Sequence, residues 1–208
     1  MNLFLISFAA LFSVINPLGT LPIFIGLTKD KGKKEITSIA IWAVFNTFII
    51  LVVSFFLGTY LLQFFGISLN SLRISGGIII ASSGFALLTG SFTKHKGMKK
   101  REKEDAYTRS EISLTPLAIP MLAGPGSISL LITYNQEHSL IFDKIILVSA
   151  ILAVCLITFL LLISSRIIIK ALGASGINAL SGIIGFIVIS IGVEFILNTL
   201  LKIINGFI

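Results

Sequence analysis

No side chain between residues 1 and 28 carries a charge, and none between residues 36 and 72. About twenty apolar residues are enough to carry a helix across the hydrocarbon core of a bilayer. The chain is therefore read as an all-α integral membrane protein. Its composition agrees: 55% of the 208 residues are hydrophobic and 12% charged, whereas about a quarter of a soluble domain is charged.

These apolar runs are interrupted in a particular way. All five prolines fall in two segments, Asn16-Pro17-Leu18-Gly19-Thr20-Leu21-Pro22 and Pro116 to Ser127, the second containing Pro120 and Gly124-Pro125-Gly126-Ser127. Proline removes a helical hydrogen bond and clashes with the carbonyl four residues back, at about 3 kcal/mol in water. In lipid the freed groups must find protein or water partners. When the first apolar segment of each half is broken by Pro and Gly, the expected architecture is two inverted repeats with the broken helices lining a midplane site.

Taken in order, the chain predicts six spans. The first repeat, 1–93, holds a broken span over residues 1–28, a second ending near Leu61, and a third from Asn70 or Arg73 to about Ser91. Residues 94–111 mix seven basic and four acidic side chains without an apolar period, the signature of a solvated linker. The second repeat, 112–208, holds a broken span over 112–136, an aliphatic span over 145–165 and a last span over 177–201. Pro17 matches Pro125 at an offset of 108, and Ser75-Gly76 matches Ser181-Gly182 at 106. Three spans per half is an odd number, so the second half must enter from the opposite side.

Charge gives the orientation. Thirteen of the sixteen Lys and Arg residues follow spans one, three and five, leaving Arg73, Lys144 and Lys202 on the other side. The positive-inside rule puts the thirteen, with the 94–111 loop, in the cytoplasm and both termini outside. The net charge of +7 is thus a topology signal rather than a nucleic-acid surface. Met1 to Ile6 carries no basic side chain and leads into Asn16-Pro17 without a small-residue cleavage site, so it is read as a retained span and not a signal peptide. The lone Cys155 and two histidines offer neither an intrachain disulfide nor ligand-like spacing, and no metal or cofactor is expected. No His-Glu-x-x-His, intramembrane Asp pair or Ser with a His or Lys partner is present, so an enzyme is not expected.

Asn16, Pro17, Gly19 and Thr20, with Gly124, Pro125, Gly126 and Ser127, are the candidate substrate-binding residues. An amide beside backbone groups released by proline suits the amino or carboxylate group of a zwitterion. Two half-helix N-termini would direct partial positive charge at a carboxylate. The plain alternative is a packed kink. Arg73 stands at the outer end of span three, where it can snorkel or bind. Glu194 is the one carboxylate inside a span, where a charge costs about 2.5 to 3.5 kcal/mol and calls for a partner or a proton. Proton coupling, snorkelling from the helix end toward the outer face, and a charge pair with Arg73 or Lys202 are the readings. Asn46, Thr47, Ser82 and Ser83 are expected to bond neighbouring helices, and Gly77 with Ala81 and Ser181 with Gly185 to allow close packing.

Ile15-Asn16-Pro17-Leu18-Gly19 with Pro22, the Pro120 to Ser127 stretch, Arg73-Ile74-Ser75-Gly76-Gly77 and Val193-Glu194 resemble the MarC family over nearly the whole chain. The resemblance implies a six-span inner-membrane protein, some members being described as transporters of small neutral amino acids such as alanine and glycine. The expected function is a secondary transporter of that kind, with H+ or Na+ as coupling ion and self-association among the partner classes the chain admits. A membrane scaffold or sensor, or an exporter of another small metabolite, is the alternative.

Overall fold

The computed structural model describes residues 3–28, 31–89 and 122–205. Every regular element among them is a helix: α1 (Leu3–Ile15), α2 (Pro17–Leu27), α3 (Lys33–Phe64), α4 (Leu69–Leu88), α5 (Pro125–Glu137), α6 (Ile141–Ile163) and α7 (Ser165–Asn205). Five stretches are long and apolar enough to cross a membrane: Leu3–Leu21, Lys33–Phe64, Leu69–Leu88, Ile141–Ile163 and Asn178–Asn205. The expected sixth, 112–136, is described only from residue 122 onward, where it forms α5. Pro116, Pro120 and the 94–111 linker lie outside the described residues.

The helix ends follow local chemistry. At 32 residues, α3 is about 48 Å long at 1.5 Å per residue, well beyond the ~30 Å hydrocarbon core, and it ends three residues past the expected Leu61. Gly66, at φ 65°, closes it: the Gly66 N–H donates to the Gln63 carbonyl and Ile67 N–H to Leu62, 2.9 Å, a left-handed glycine cap. Ser68 then caps α4 by accepting from the Ser71 N–H at 3.1 Å. In α7 the helix is interrupted at Gly173 (φ 65°, ψ 175°), which separates a short segment carrying Arg166 and Lys170 from the Asn178–Asn205 span.

Apolar side chains fill the interior and also cover the outside. Leu11 and Ile15 of α1, Leu51 and Phe55 of α3, Leu130 and Leu131 of α5 and Leu147 and Ile151 of α6 form one buried cluster. Leu21 and Phe24 of α2 join Ile39 and Ala43 of α3 and Leu162 of α6 in a second. Yet Trp42 is 53% exposed, Phe64 83% and Phe186 65%. In water such a surface would be a liability; against lipid it is the expected exterior.

The tightest contact joins α4 to α7. A Cβ added at Gly77 would meet the Gly192 carbonyl at 2.7 Å, and one at Gly84 the Gly185 carbonyl at 2.6 Å. Reciprocally, a Cβ at Gly192 would meet Gly77 O at 2.5 Å and one at Gly185 Gly84 O at 2.8 Å. The helices thus run antiparallel with backbone on backbone at two levels, seven residues apart on each. Gly77, Ala81 and Gly185 meet the packing expectation. Thr47 instead bonds back to Ala43 in its own helix (2.8 Å), and Ser82 and Ser83 are exposed.

The offset of 108 between Pro17 and Pro125 recurs: α3 begins at Lys33 and α6 at Ile141, and Gly77 and Gly84 correspond to Gly185 and Gly192. Shifted by 108, the Gly77–Gly192 contact becomes the Gly185–Gly84 contact. The Ser75-Gly76 and Ser181-Gly182 pair keeps its own offset of 106 and does not share this spacing.

Candidate functional site

The first break is built by one residue. Asn16 adopts the left-handed conformation, φ 47° and ψ 64°, which costs most L-residues about 1–2 kcal/mol and which Asn tolerates best after Gly. Its N–H still donates to the Phe12 carbonyl at 2.9 Å, closing α1. Its Oδ1 accepts from the Gly19 N–H at 3.2 Å, opening α2 with Pro17 in the first turn. Proline belongs at that position because its missing N–H would have had no helical acceptor. The Thr20 hydroxyl donates to the Asn16 carbonyl at 3.3 Å. The remaining group, Asn16 Nδ2, is buried and has no hydrogen-bond acceptor among the described residues. Gly19 makes room for it, since a Cβ there would collide with Nδ2 and come within 3.3 Å of Leu87 Cδ2 on α4.

At the second break Leu122 and Ala123 are buried and Gly124 is extended (φ −80°, ψ 166°). Pro125 opens α5, whose first turn has no side-chain cap. Ser127 bonds backward, its hydroxyl donating to the Gly124 carbonyl at 2.9 Å. Among the described residues no side chain caps this turn, and the helix dipole leaves partial positive charge there.

The two breaks are neighbours. A Cβ at Gly126 would meet Ile80 Cγ1 of α4 at 2.9 Å and Val14 Cγ1 at 3.3 Å, and Val14 lies two residues before Asn16. Asn16, Pro17, Gly19 and Thr20 are buried, as are Gly126 and Ser127, while Gly124 is half-buried and Pro125 exposed. Further along α5, Ser129 donates to the Leu72 carbonyl of α4 at 3.2 Å, an approach that Gly76 permits by having no side chain. The site thus offers an amide donor, hydroxyls and uncapped backbone in an apolar setting. Among the described residues no three His, Cys, Asp or Glu side chains converge.

The charged candidates lie elsewhere, and their expected pairing is corrected. Arg73 pairs with Glu137 at the end of α5, Nη2 to Oε1 2.6 Å, and Lys202 Nζ reaches the same oxygen at 3.3 Å. Glu194 is exposed, and its carboxylate accepts from Asn198 Nδ2 at 2.8 Å. Arg73 and Lys202 sit beside Glu137 because all three stand at helix ends on one face of the bundle, whereas Glu194 lies two turns of α7 away from Lys202. Glu137 was legible in principle as an acidic side chain on the side that carries only three cations. Arg166 was missed as well: its guanidinium donates to the carbonyls of Thr28 at 3.1 Å and Lys31 at 3.4 Å, joining the loops after the first and fifth predicted spans at the opposite end.

A helical chain with five membrane-length apolar stretches and a broken helix at its start is an integral membrane protein. It belongs to the MarC family: the profile of the MarC family integral membrane proteins matches residues 1–204. Similar proteins include a UPF0056 membrane protein of Methanocaldococcus jannaschii, 37% identical with 94% of each chain covered. One from Buchnera aphidicola of Schizaphis graminum is 36% identical over 91% of this chain and 87% of its own. The UPF0056 inner membrane protein MarC of Escherichia coli is 33% identical over 95% and 93%. No solved structure matches the chain.

Proposed function

We propose that this protein is a secondary transporter of small neutral amino acids, with the substrate held between the two helix breaks. The observation that carries the reading is the buried Asn16 Nδ2 without an acceptor, adjacent through Val14 and Gly126 to the uncapped first turn of α5. A buried donor without a partner costs about 1–3 kcal/mol, and a carboxylate entering between the breaks would satisfy the amide and the helix terminus together. Hydroxyls of Thr20 and Ser127 flank that position, and the apolar walls formed by Val14, Ile80 and Leu87 suit a short aliphatic side chain. Such a site acts by binding and release rather than by bond chemistry.

The proposed architecture is six spans in two inverted repeats. The recurring offset of 108 and the reciprocal glycine contacts of α4 and α7 support it. The thirteen-to-three cation bias, together with the Arg166 bonds that gather cationic loops at one end, supports termini outside and the 94–111 loop in the cytoplasm of the inner membrane. H+ or Na+ is the coupling ion in this reading.

Proteoliposomes test it. Uptake of labelled alanine and glycine should exceed that of lysine or glutamate, should respond to an imposed proton or sodium gradient, and should be lost in Asn16→Gly. No uptake and no thermal stabilisation by any neutral amino acid would favour a scaffold or sensor, since a ligand that binds the native state must stabilise it.

A further inference from the structure

Glu194 stands two to three residues from the middle of the Asn178–Asn205 span, about 4 Å along the axis. It faces outward. One turn on, Asn198 is also exposed and supplies its hydrogen bond at 2.8 Å; one turn back, the exposed Ser190 bonds to the Phe186 carbonyl of its own helix. Ser190, Glu194 and Asn198 therefore form a polar stripe on a face whose other exposed residues include Ile183, Phe186, Ile187, Val193, Leu197 and Leu201. The nearest cation along the helix, Lys202, is eight residues or about 12 Å away and is engaged by Glu137, as is Arg73. A carboxylate in this position is directed at hydrocarbon, which offers it no partner.

We propose that this face of α7 is the interface between two copies of the chain. A carboxylate has about four acceptor positions and a carboxamide two N–H donors; among the described residues of one chain a single donor and a single acceptor are used. The second Asn198 N–H is free to donate to the partner's Glu194, and the reciprocal bond follows from two-fold symmetry, which makes such an interface self-complementary. A second copy is the occupant the chemistry selects. The charge bias inserts every copy in one orientation, so each presents the same acid and amide at the same depth, facing a helix that runs parallel to its own. Polar side chains bonding across helices are a recognised source of association in bilayers, and the flanking Val193, Leu197 and Leu201 supply the packing.

Disulfide trapping tests the proposal in native membranes, with Cys155→Ala as background. Leu197→Cys and Leu201→Cys should each give a covalent dimer on mild oxidation, whereas Phe56→Cys, exposed on α3, should not. In liposomes, single-molecule photobleaching of the unmodified chain should show pairs, and the double substitution Glu194→Leu with Asn198→Leu should raise the dissociation constant about tenfold or more. Leucine on a lipid face leaves insertion intact, so the double variant is checked by its unchanged thermal stability when dilute. Equal trapping at Phe56→Cys, a monomeric unmodified chain, or unaltered pairing in the double variant would overturn the assignment.

Discussion

Asn16→Gly separates structure from binding at the first break. Glycine accepts the φ of 47° found there without strain, and exchanging an asparagine cap for glycine costs only a few tenths of a kcal/mol. The substitution also removes an amide nitrogen that is buried without an acceptor, which returns about 1–3 kcal/mol. The variant should thus be as stable as the original or up to about 2 kcal/mol more so. Its affinity should move the other way. A hydrogen bond to a charged ligand group contributes about 1.5–3 kcal/mol, equivalent to a roughly 10- to 150-fold weaker Kd. Both quantities are read on one preparation, by thermal denaturation in detergent and by equilibrium binding of labelled alanine. Asn16→Leu is the contrast, because leucine lacks the local side-chain hydrogen bond that lets asparagine hold the left-handed conformation, which costs other L-residues about 1–2 kcal/mol, and should lose stability as well as affinity. A glycine variant that is destabilised by more than about 1 kcal/mol yet binds alanine with unchanged affinity would refute the reasoning and make Asn16 a helix cap alone.

Three further outcomes are expected. Gly84→Ala and Gly185→Ala each place a methyl within 3 Å of the opposing carbonyl and should cost about 1–3 kcal/mol by overpacking; because both crowd the same level, the double variant should cost less than their sum in a denaturation cycle. Glu137→Gln keeps the shape of the side chain but leaves Arg73, only 8% exposed, without its counter-charge. Since Glu137 itself is partly exposed, the loss should be about 1–3 kcal/mol, between the surface and buried limits, and should shrink on adding salt. With Cys155→Ala as background, Ser68→Cys and Ser139→Cys, both at exposed positions, should react with an impermeant thiol reagent in intact cells while Gly97→Cys should not; labelling at Gly97→Cys would reverse the orientation.

The parts of the fold that reveal themselves in the sequence are those with strong local chemistry. The Asn16-Pro17 break and the start of α5 at Pro125 are visible because each proline follows a residue, Asn or Gly, that readily leaves the helical conformation, whereas Pro22 lies inside α2 without ending it. Uncharged runs mark spans because lipid excludes charge over a fixed thickness. Boundaries set by weaker signals were misplaced: α3 continues past Leu61 to Phe64 because only Gly66 offers a left-handed cap. What no local reading supplies is pairing across the bundle. Arg73 finds Glu137, 64 residues away, through the docking of α5 on α4, and Arg166 finds the carbonyl of Thr28, 138 residues away. Glu194 was legible as unusual by depth, but the face of the helix it occupies depends on how α7 rotates to bring Gly185 and Gly192 against α4.

That glycine seam also governs how α4 and α7 can move. With carbonyls facing glycines at two levels, tilting one helix about either level drives backbone into backbone at the other. Slippage along the common axis is opposed as well, because Ile189 and Ile196 of α7 and Ala81 and Leu87 of α4 set their side chains beside these glycines, so the two helices are locked as one body. Because α4 touches the first break through Leu87 and the start of α5 through Ile80, any movement of the locked pair would be felt at both places simultaneously.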